Sequence, residues 1–295
     1  MMLKRMLKKL IRKVGLLKNI SFGQTINIKG QKIKIPVILE LSCNLTETWM
    51  LSLLENLLKE KEGAFLDIGV NLGQTLIKVK GLESMREYIG FEPNPVCVFY
   101  VKELIKNNKF ENCTIVPVGL FTEDNVLSLE CISNSEVDSS ASLIKDFRPG
   151  HVIYHKILVP VFRFQSIANV LNIDKVGIVK IDVEGAELEV VKSLYQTFQD
   201  YRPIIVLEVL PVYSDENIMR KQRQEELEQI FSELDYVFFI VEKMVMDTFM
   251  SLRRIPKIGV HSNLNQCDYV VVPNELVARI GNLVEEPANN SVGAD

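Results

Sequence analysis

Histidine and tryptophan are scarce, at three residues and one, and the five cysteines form no Cys-x-x-Cys pair. Cys43, Cys97, Cys113, Cys131 and Cys267 are scattered and odd in number, so neither a disulfide framework nor a Cys/His zinc centre is expected. A reducing compartment, the cytoplasm, is the expected location. No apolar run approaches the roughly 18 residues that a membrane-spanning helix needs. Near the N-terminus Lys and Arg interrupt every apolar stretch, so no signal-peptide core forms. Acid is missing from residues 1–35, which hold ten Lys or Arg and no Asp or Glu. Base is missing from residues 64–77, which contain neither Lys nor Arg.

What is present is a basic arm on an acidic body. The net charge of the 295 residues is −4, yet beyond residue 35 there are 24 basic side chains against 38 acidic ones. Within residues 3–18, Leu3, Met6, Leu7, Leu10, Ile11, Val14 and Leu17 recur at helical spacing, with Lys4, Lys8, Lys9, Arg12 and Lys13 off the stripe. Two expectations stay open for this helix. It docks on a second helix over 46–61, whose N-cap is Thr46, or it lies on an anionic membrane surface and makes the chain peripheral at the inner face. "INIKGQKIKIPVIL" reads as a hairpin turning near Gly30.

From residue 64 short apolar strands alternate with helices: "AFLDIG", "EYIGFEPN", "CTIVPVG", "GIVKIDVEG", "PIIVLEV", "YVFFIVE" and "CDYVVVP" are the strand segments. That grammar predicts an α/β fold with a mostly parallel sheet covered by helices on both faces. Residues 1–62 read as an N-terminal extension, 63–275 as one domain, and 276–295 as a helix end and loose tail.

Ligands of such sheets bind outside the carboxyl ends of the strands. The first strand ends in Asp67-Ile-Gly69-Val-Asn71-Leu-Gly73, a turn built from residues that tolerate left-handed dihedrals, with a helix starting near Gln74. The next strand ends at Glu92, placed to accept hydrogen bonds from both hydroxyls of a ribose, and Asn94 follows it. A dinucleotide pyrophosphate about 4 Å from Asp67 would cost on the order of 4 kcal/mol at an effective dielectric near 20. S-adenosylmethionine, with its ammonium and sulfonium, suits the loop better. The competing reading of Asp67 is a turn-former that holds backbone amides.

"VKIDVEGAELEVVK" (179–192) concentrates acid at the end of another strand. Asp182 and Glu184 share a side if the chain stays extended, and Gly185 then turns it into a helix with Leu188, Val191 and Leu194 buried. Asp182 and Glu184 are candidate catalytic groups, against the alternative of helix capping. Glu187 and Glu189 are expected on a solvated face. His155 is a further candidate base, and Glu208, ending "IIVLE", is placed to bind substrate or metal. A divalent metal is neither required nor excluded by these motifs.

Taken in order, "FLDIGVNLGQT", "GFEPNP", "SASL" and "VKIDVEGAELEVVK" resemble the FkbM family of S-adenosylmethionine-dependent methyltransferases, over about residues 63–242. The resemblance implies a class I methyltransferase Rossmann-like sheet of seven strands, mostly parallel with an antiparallel last strand that "CDYVVVP" would supply. It implies O-methylation, often of a sugar or of a secondary metabolite's hydroxyl, so the expected partner is a small-molecule or glycan acceptor, a glycolipid included. Arg163-Phe164-Gln165 stands where the family commonly has Thr-Leu-Asp, a departure expected to alter the acceptor-pocket wall. The helix after the glycine loop also looks short, with Gly81 close behind it.

Two further functions compete. A nicotinamide-dependent oxidoreductase is disfavoured by Asp67 and by the lack of a Tyr-x-x-x-Lys pair. A non-catalytic methyltransferase-fold scaffold would not need Asp67, Gly69, Gly73 and Glu92 together. Nucleic acid is an unexpected partner, because the body is acidic and no aromatic-basic patch occurs.

Overall fold

Strands buried on both faces need unbroken apolar runs. In β3 (Ala64–Ile68), β4 (Tyr88–Phe91), β9 (Val176–Ile181) and β10 (Ile204–Glu208) nearly every residue is buried. The computed structural model describes residues 23–285, positions 149 and 245 excepted. The amphipathic arm at 3–18 and the end of the tail at 286–295 lie outside the described residues.

The chain opens with a hairpin, β1 (Gln24–Ile28) and β2 (Gln31–Ile35), turning at Gly30, whose amide donates to Asn27 Oδ1. Helix α1 (Trp49–Glu60) follows. It starts later than expected: Thr48, not Thr46, is the N-cap residue, and the Thr48 hydroxyl donates to the Asp247 carbonyl instead of capping the helix. Next come β3, α2 (Gln74–Leu82), β4, α3 (Pro95–Asn108) and β5 (Cys113–Val116). The polar excursion after β5 forms a separate three-stranded sheet, β6 (Gly119–Leu120), β7 (Asn125–Cys131) and β8 (His155–Phe162), in the order β6-β8-β7. Then follow α4 (Phe164–Leu171), β9, α5 (Glu187–Ser193), α6 (Tyr195–Tyr201), β10, α7 (Ile218–Glu233), β11 (Tyr236–Met244), β12 (Thr248–Ile255), β13 (Asp268–Pro273) and a 3-10 helix (Asn274–Leu283).

The main sheet runs β12-β11-β13-β10-β9-β3-β4-β5. Strands β5, β4, β3, β9 and β10 are mutually parallel, and β13 is antiparallel to both its neighbours. This is the expected doubly wound sheet, with "CDYVVVP" as its antiparallel strand and one strand more than the seven expected. The eighth, β12, is an edge strand antiparallel to β11. Its sequence "TFMSLRRI" hides it, because one half-exposed edge tolerates Ser251, Arg253 and Arg254 where a central strand would not.

Strand alternation divides the interior into two cores. Phe65, Ile178, Ile204, Val206 and Val270 face α1, α2 and α3; Leu66, Val179, Ile205, Leu207 and Val271 face α5, α6 and α7. Trp49, Leu53, Leu54 and Leu57 of α1 belong to the first core, as do Leu276, Ile280 and Leu283 of the last helix. Helix α2 has nine residues and keeps Gly81 inside it; a Cβ there would stand 2.7 Å from Ile28. The hairpin packs on the helix because that residue is glycine.

Candidate active site

Going outward from β3, β4 and β5 extend the sheet to one side and β9 and β10 to the other. At such a switch point the connections diverge and leave a crevice at the carboxyl ends of the strands. A cavity of about 390 Å³ lies there.

Its floor is the turn leaving β3. Gly69, Asn71 and Gly73 all take left-handed φ values, 92°, 50° and 91°. A Cβ on Gly69 would stand 1.8 Å from the Asp182 carbonyl oxygen, and the Asp182 amide donates to Ile68 at 3.0 Å. Glycine is therefore what lets the ends of β3 and β9 close on each other. Gly73 does not reach the cavity; it gives α2 room beside Leu104 of α3.

Glu92 lines the cavity and joins two turns, accepting the Asn71 amide at 2.7 Å and the Asn94 amide at 2.8 Å. Burial pushes its carboxyl up to about 7, against the pull of those two amides. Each oxygen keeps a lone pair for a further donor. The Asn94 side chain is already engaged: Oδ1 accepts the Val96 amide as the N-cap of α3, and Nδ2 donates to the Glu136 carbonyl.

Asp67 sits beneath the cavity and does not line it. Its Oδ2 accepts the Tyr88 hydroxyl, while Oδ1 has no hydrogen bond and lies 3.8 Å from Lys180 Nζ. Burial drives its carboxyl up to about 6, opposed by Lys180 and Tyr88. Lys180 also meets Asp182 Oδ2 at 2.9 Å. Burial works against its charge, but Asp182, Asp67 and Glu47 overcome that and hold the ammonium above its usual range. One buried lysine thus ties β3 to β9 behind the two motif carboxylates.

Asp182, Glu184 and Glu208 all line the cavity. The extended chain assumed between the first two is not there: Glu184 has φ 54°, so the turn begins before Gly185. Glu184 pairs with Arg148, and burial and the Asp182 charge push it up to about 7 against that pairing. The Glu208 side chain has no hydrogen bond or ion pair among the described residues; chiefly the Asp182 charge, then burial, raises its proton affinity well above the usual range. Asp182 is not a helix cap, since α5 starts five residues on with Ala186 before it and no side-chain cap. The expected buried stripe of Leu188, Val191 and Leu194 is present.

Further expectations are corrected. Glu187 is not solvated: it is 7% exposed, and its Oε1 accepts the Gly185 amide at 2.8 Å. Glu189 is held by Arg223 at 2.7 Å. His155 starts β8 opposite Cys131 and does not reach the cavity, because the small sheet carries it outward. Arg163-Phe164-Gln165 likewise lies off the cavity wall; it opens α4, where the Phe164 amide and the Gln165 side chain bind Ser193. Sequence reasoning missed Thr46, Glu47 and Lys180, and also Leu120, Leu129 and Leu143, which give the cavity apolar lining. Lys180 was legible as a charge inside a buried strand; the others carry no local signal.

The raised carboxyls give the ligand-free protein a pH dependence. Asp67, Glu92, Glu184 and Glu187 titrate at about 6 to 7 when folded, against ordinary values of 3.8 and 4.5. The folded state binds these protons more tightly than the unfolded chain. Their contribution to stability is therefore complete below the ordinary values and is lost as pH rises through 6 to 7. Melting temperature measured without ligand is expected to fall between about pH 5 and about pH 8. A melting temperature that rises over that interval would contradict these assignments.

Strand order and cavity define a doubly wound methyltransferase-type domain. A sequence model of the FkbM methyltransferase domain matches residues 67–238. The chain belongs to the FkbM methyltransferase family. Among solved structures, the FkbM methyltransferase from Methylobacillus flagellatus KT is similar at 13% identity and TM-score 0.43, over 72% of this chain and 43% of that one. The chain thus spans less than half the length of that protein. The O-methyltransferase from Bacillus cereus in complex with SAH is similar at 9% identity and TM-score 0.43, over 80% and 83% of the two chains. A putative methyltransferase from Streptococcus mutans, also in complex with SAH, has 8% identity and TM-score 0.39 over 75% and 94%. No curated protein matches the chain.

Proposed function

We propose that the protein is an S-adenosylmethionine-dependent O-methyltransferase acting on a hydroxyl of a sugar, glycolipid or secondary metabolite. The observation that carries this reading is the arrangement of acid in the cavity. Glu92 stands at one side beside the loop amides, and Asp182, Glu184 and Glu208 stand at the strand ends opposite. Burial raises the proton affinity of Glu92 and Glu184, and the Asp182 charge chiefly raises that of Glu208; a cationic ligand among them favours their ionised forms and is held by them. When bound, S-adenosylmethionine supplies an electrophilic methyl group on a cationic sulfur.

The chain's residues do the rest. Glu92, fixed by two amides, offers its remaining lone pairs to the ribose hydroxyls. Leu120, Leu129 and Leu143 offer an apolar wall for a base. Asp182, steadied by Lys180 at 2.9 Å, orients the acceptor hydroxyl and takes its proton as the methyl is transferred. Arg148 keeps Glu184 at the rim. Glu92→Ala is expected to weaken S-adenosylhomocysteine binding by about 1.5–3 kcal/mol, the range for a hydrogen bond to a charged group, measured by calorimetry. Unchanged affinity would remove the ribose role.

No helix among the described residues is long and apolar enough to cross a membrane. The arm at 3–18 is proposed to lie on an anionic membrane surface, with docking on α1 as the competing arrangement. Each basic residue near an anionic leaflet contributes about 1 kcal/mol. Deleting residues 1–20 is expected to abolish sedimentation with anionic vesicles; equal recovery of both chains in the pellet would rule the arm out as an anchor.

Incubation with methyl-labelled cofactor and a total extract of glycans, lipids and metabolites tests the function. Label on an oxygen is the expected result. Label on nitrogen or carbon would overturn the O-methyltransferase reading, and no label at all would overturn the enzyme reading.

A further inference from the structure

Two residues of the cavity wall, Thr46 and Glu47, come from the segment ahead of α1, outside the stretch that matches the FkbM domain. That segment is fastened on both sides. The Tyr100 hydroxyl donates to the Pro36 carbonyl at 2.8 Å and accepts the Cys43 amide at 2.7 Å. The Thr48 amide reaches Asp247 Oδ2 at 2.7 Å, and the Thr48 hydroxyl reaches the Asp247 carbonyl at 2.8 Å, at the tip of the β11–β12 hairpin. Between these anchors Glu47 adopts φ 50°, a left-handed conformation that a glutamate rarely takes unless its surroundings impose it.

The side chain is imposed as well. Glu47 Oε2 lies 3.2 Å from Nζ of Lys78, a residue of α2 with no exposed surface. Among the described residues, Glu47 is the only carboxylate paired with that buried ammonium. An ammonium inside a core with one counterion holds that counterion firmly, because letting it go leaves an uncompensated buried charge. Glu47 Oε1 has no hydrogen-bond partner among the described residues. The carboxylate lies within 4.8 Å of those of Glu208 and Asp268, at the β10–β13 end of the cavity. It is a fixed acceptor with one oxygen free, on the wall of the cavity that Asp182 and Glu208 also line.

We propose that Glu47 selects the acceptor, with Oε1 receiving a hydrogen bond from the incoming molecule while Lys78 holds the carboxylate from behind. Glu47 is then a specificity residue and Lys78 its positioning residue. Recognition of the acceptor is built partly from chain that precedes the matched domain. This assignment rests on the methyl-transfer reading above.

The test uses the full chain, wild type beside Glu47→Gln, Lys78→Met and the double variant. Each is measured for S-adenosylhomocysteine affinity by calorimetry and for label transfer at limiting extract. Glu47→Gln is expected to bind S-adenosylhomocysteine within about twofold of wild type while transfer at limiting acceptor falls about tenfold or more. Because Glu47→Gln strands the Lys78 charge, the double variant separates recognition from folding: it restores the melting temperature but stays slow. Recovery of wild-type transfer in the double variant would reduce Glu47 to a counterion and overturn the proposal. So would Glu47→Gln transferring within about twofold of wild type, or losing S-adenosylhomocysteine affinity in parallel with rate. Absence of label from the wild type would overturn the reading beneath it, and the assignment with it.

Discussion

Asp182→Asn is expected to lower methyl transfer by about a hundredfold or more while leaving S-adenosylhomocysteine affinity within a few-fold of wild type. The two effects separate because Asp182 serves the fold through its main chain, whereas its proposed part in the reaction belongs to its side chain. Its amide holds Ile68 at 3.0 Å, and its carbonyl packs against Gly69. Asparagine keeps both. What it removes is the charge that pairs with Lys180 and that the proposed mechanism uses to take the acceptor's proton. Lys180 retains Asp67 at 3.8 Å, so the substitution does not leave a buried ammonium alone. Single-turnover rates with saturating cofactor report the chemical step directly. Full turnover in Asp182→Asn would move the proton acceptor to Glu208 or Glu184.

Gly69→Ala is expected to destabilise the protein by about 4 kcal/mol or more, or to prevent folding. The added Cβ would stand 1.8 Å from the Asp182 carbonyl oxygen, and that atom is backbone, so no side-chain rotation relieves the clash. Relief requires β3 and β9 to part at the point where the cavity is formed, so cofactor affinity should fall with stability. Gly30→Ala is the matching control. Gly30 has a similar φ of 90° but nothing within 4 Å of its Cβ position, so only the left-handed penalty of about 1 kcal/mol applies. Urea denaturation of the two variants separates steric closure from backbone strain. A loss below about 1 kcal/mol for Gly69→Ala would mean the two strand ends are not in contact.

Much of the fold was legible because parallel strands buried on both faces write themselves as apolar runs, and the turns after β3 and β9 carry their own residue types. The switch-point cavity follows from that order, and with it the places of Glu92, Asp182, Glu184 and Glu208. Other features depend on contacts between distant segments. β12 was hidden because an edge strand needs only half its residues apolar. Asp67 looked like a loop residue, but the strand continues through Ile68, which keeps its carboxyl beneath the floor beside Tyr88. Glu187 looked solvated on helical spacing alone; α5 has seven residues, and its acid turns back to the Gly185 amide. His155 was drawn towards the site by its position in the chain, which says nothing about where the small sheet carries it. Glu47 lies 161 positions before Glu208, so no spacing joins them before the chain folds.

The most direct test of the account is a calorimetric titration of the full chain with S-adenosylhomocysteine, with NAD titrated in parallel. Saturable binding of S-adenosylhomocysteine at one site per chain, weakened by Glu92→Ala, is expected, with no binding of NAD. Binding of NAD with no response to S-adenosylhomocysteine would contradict it.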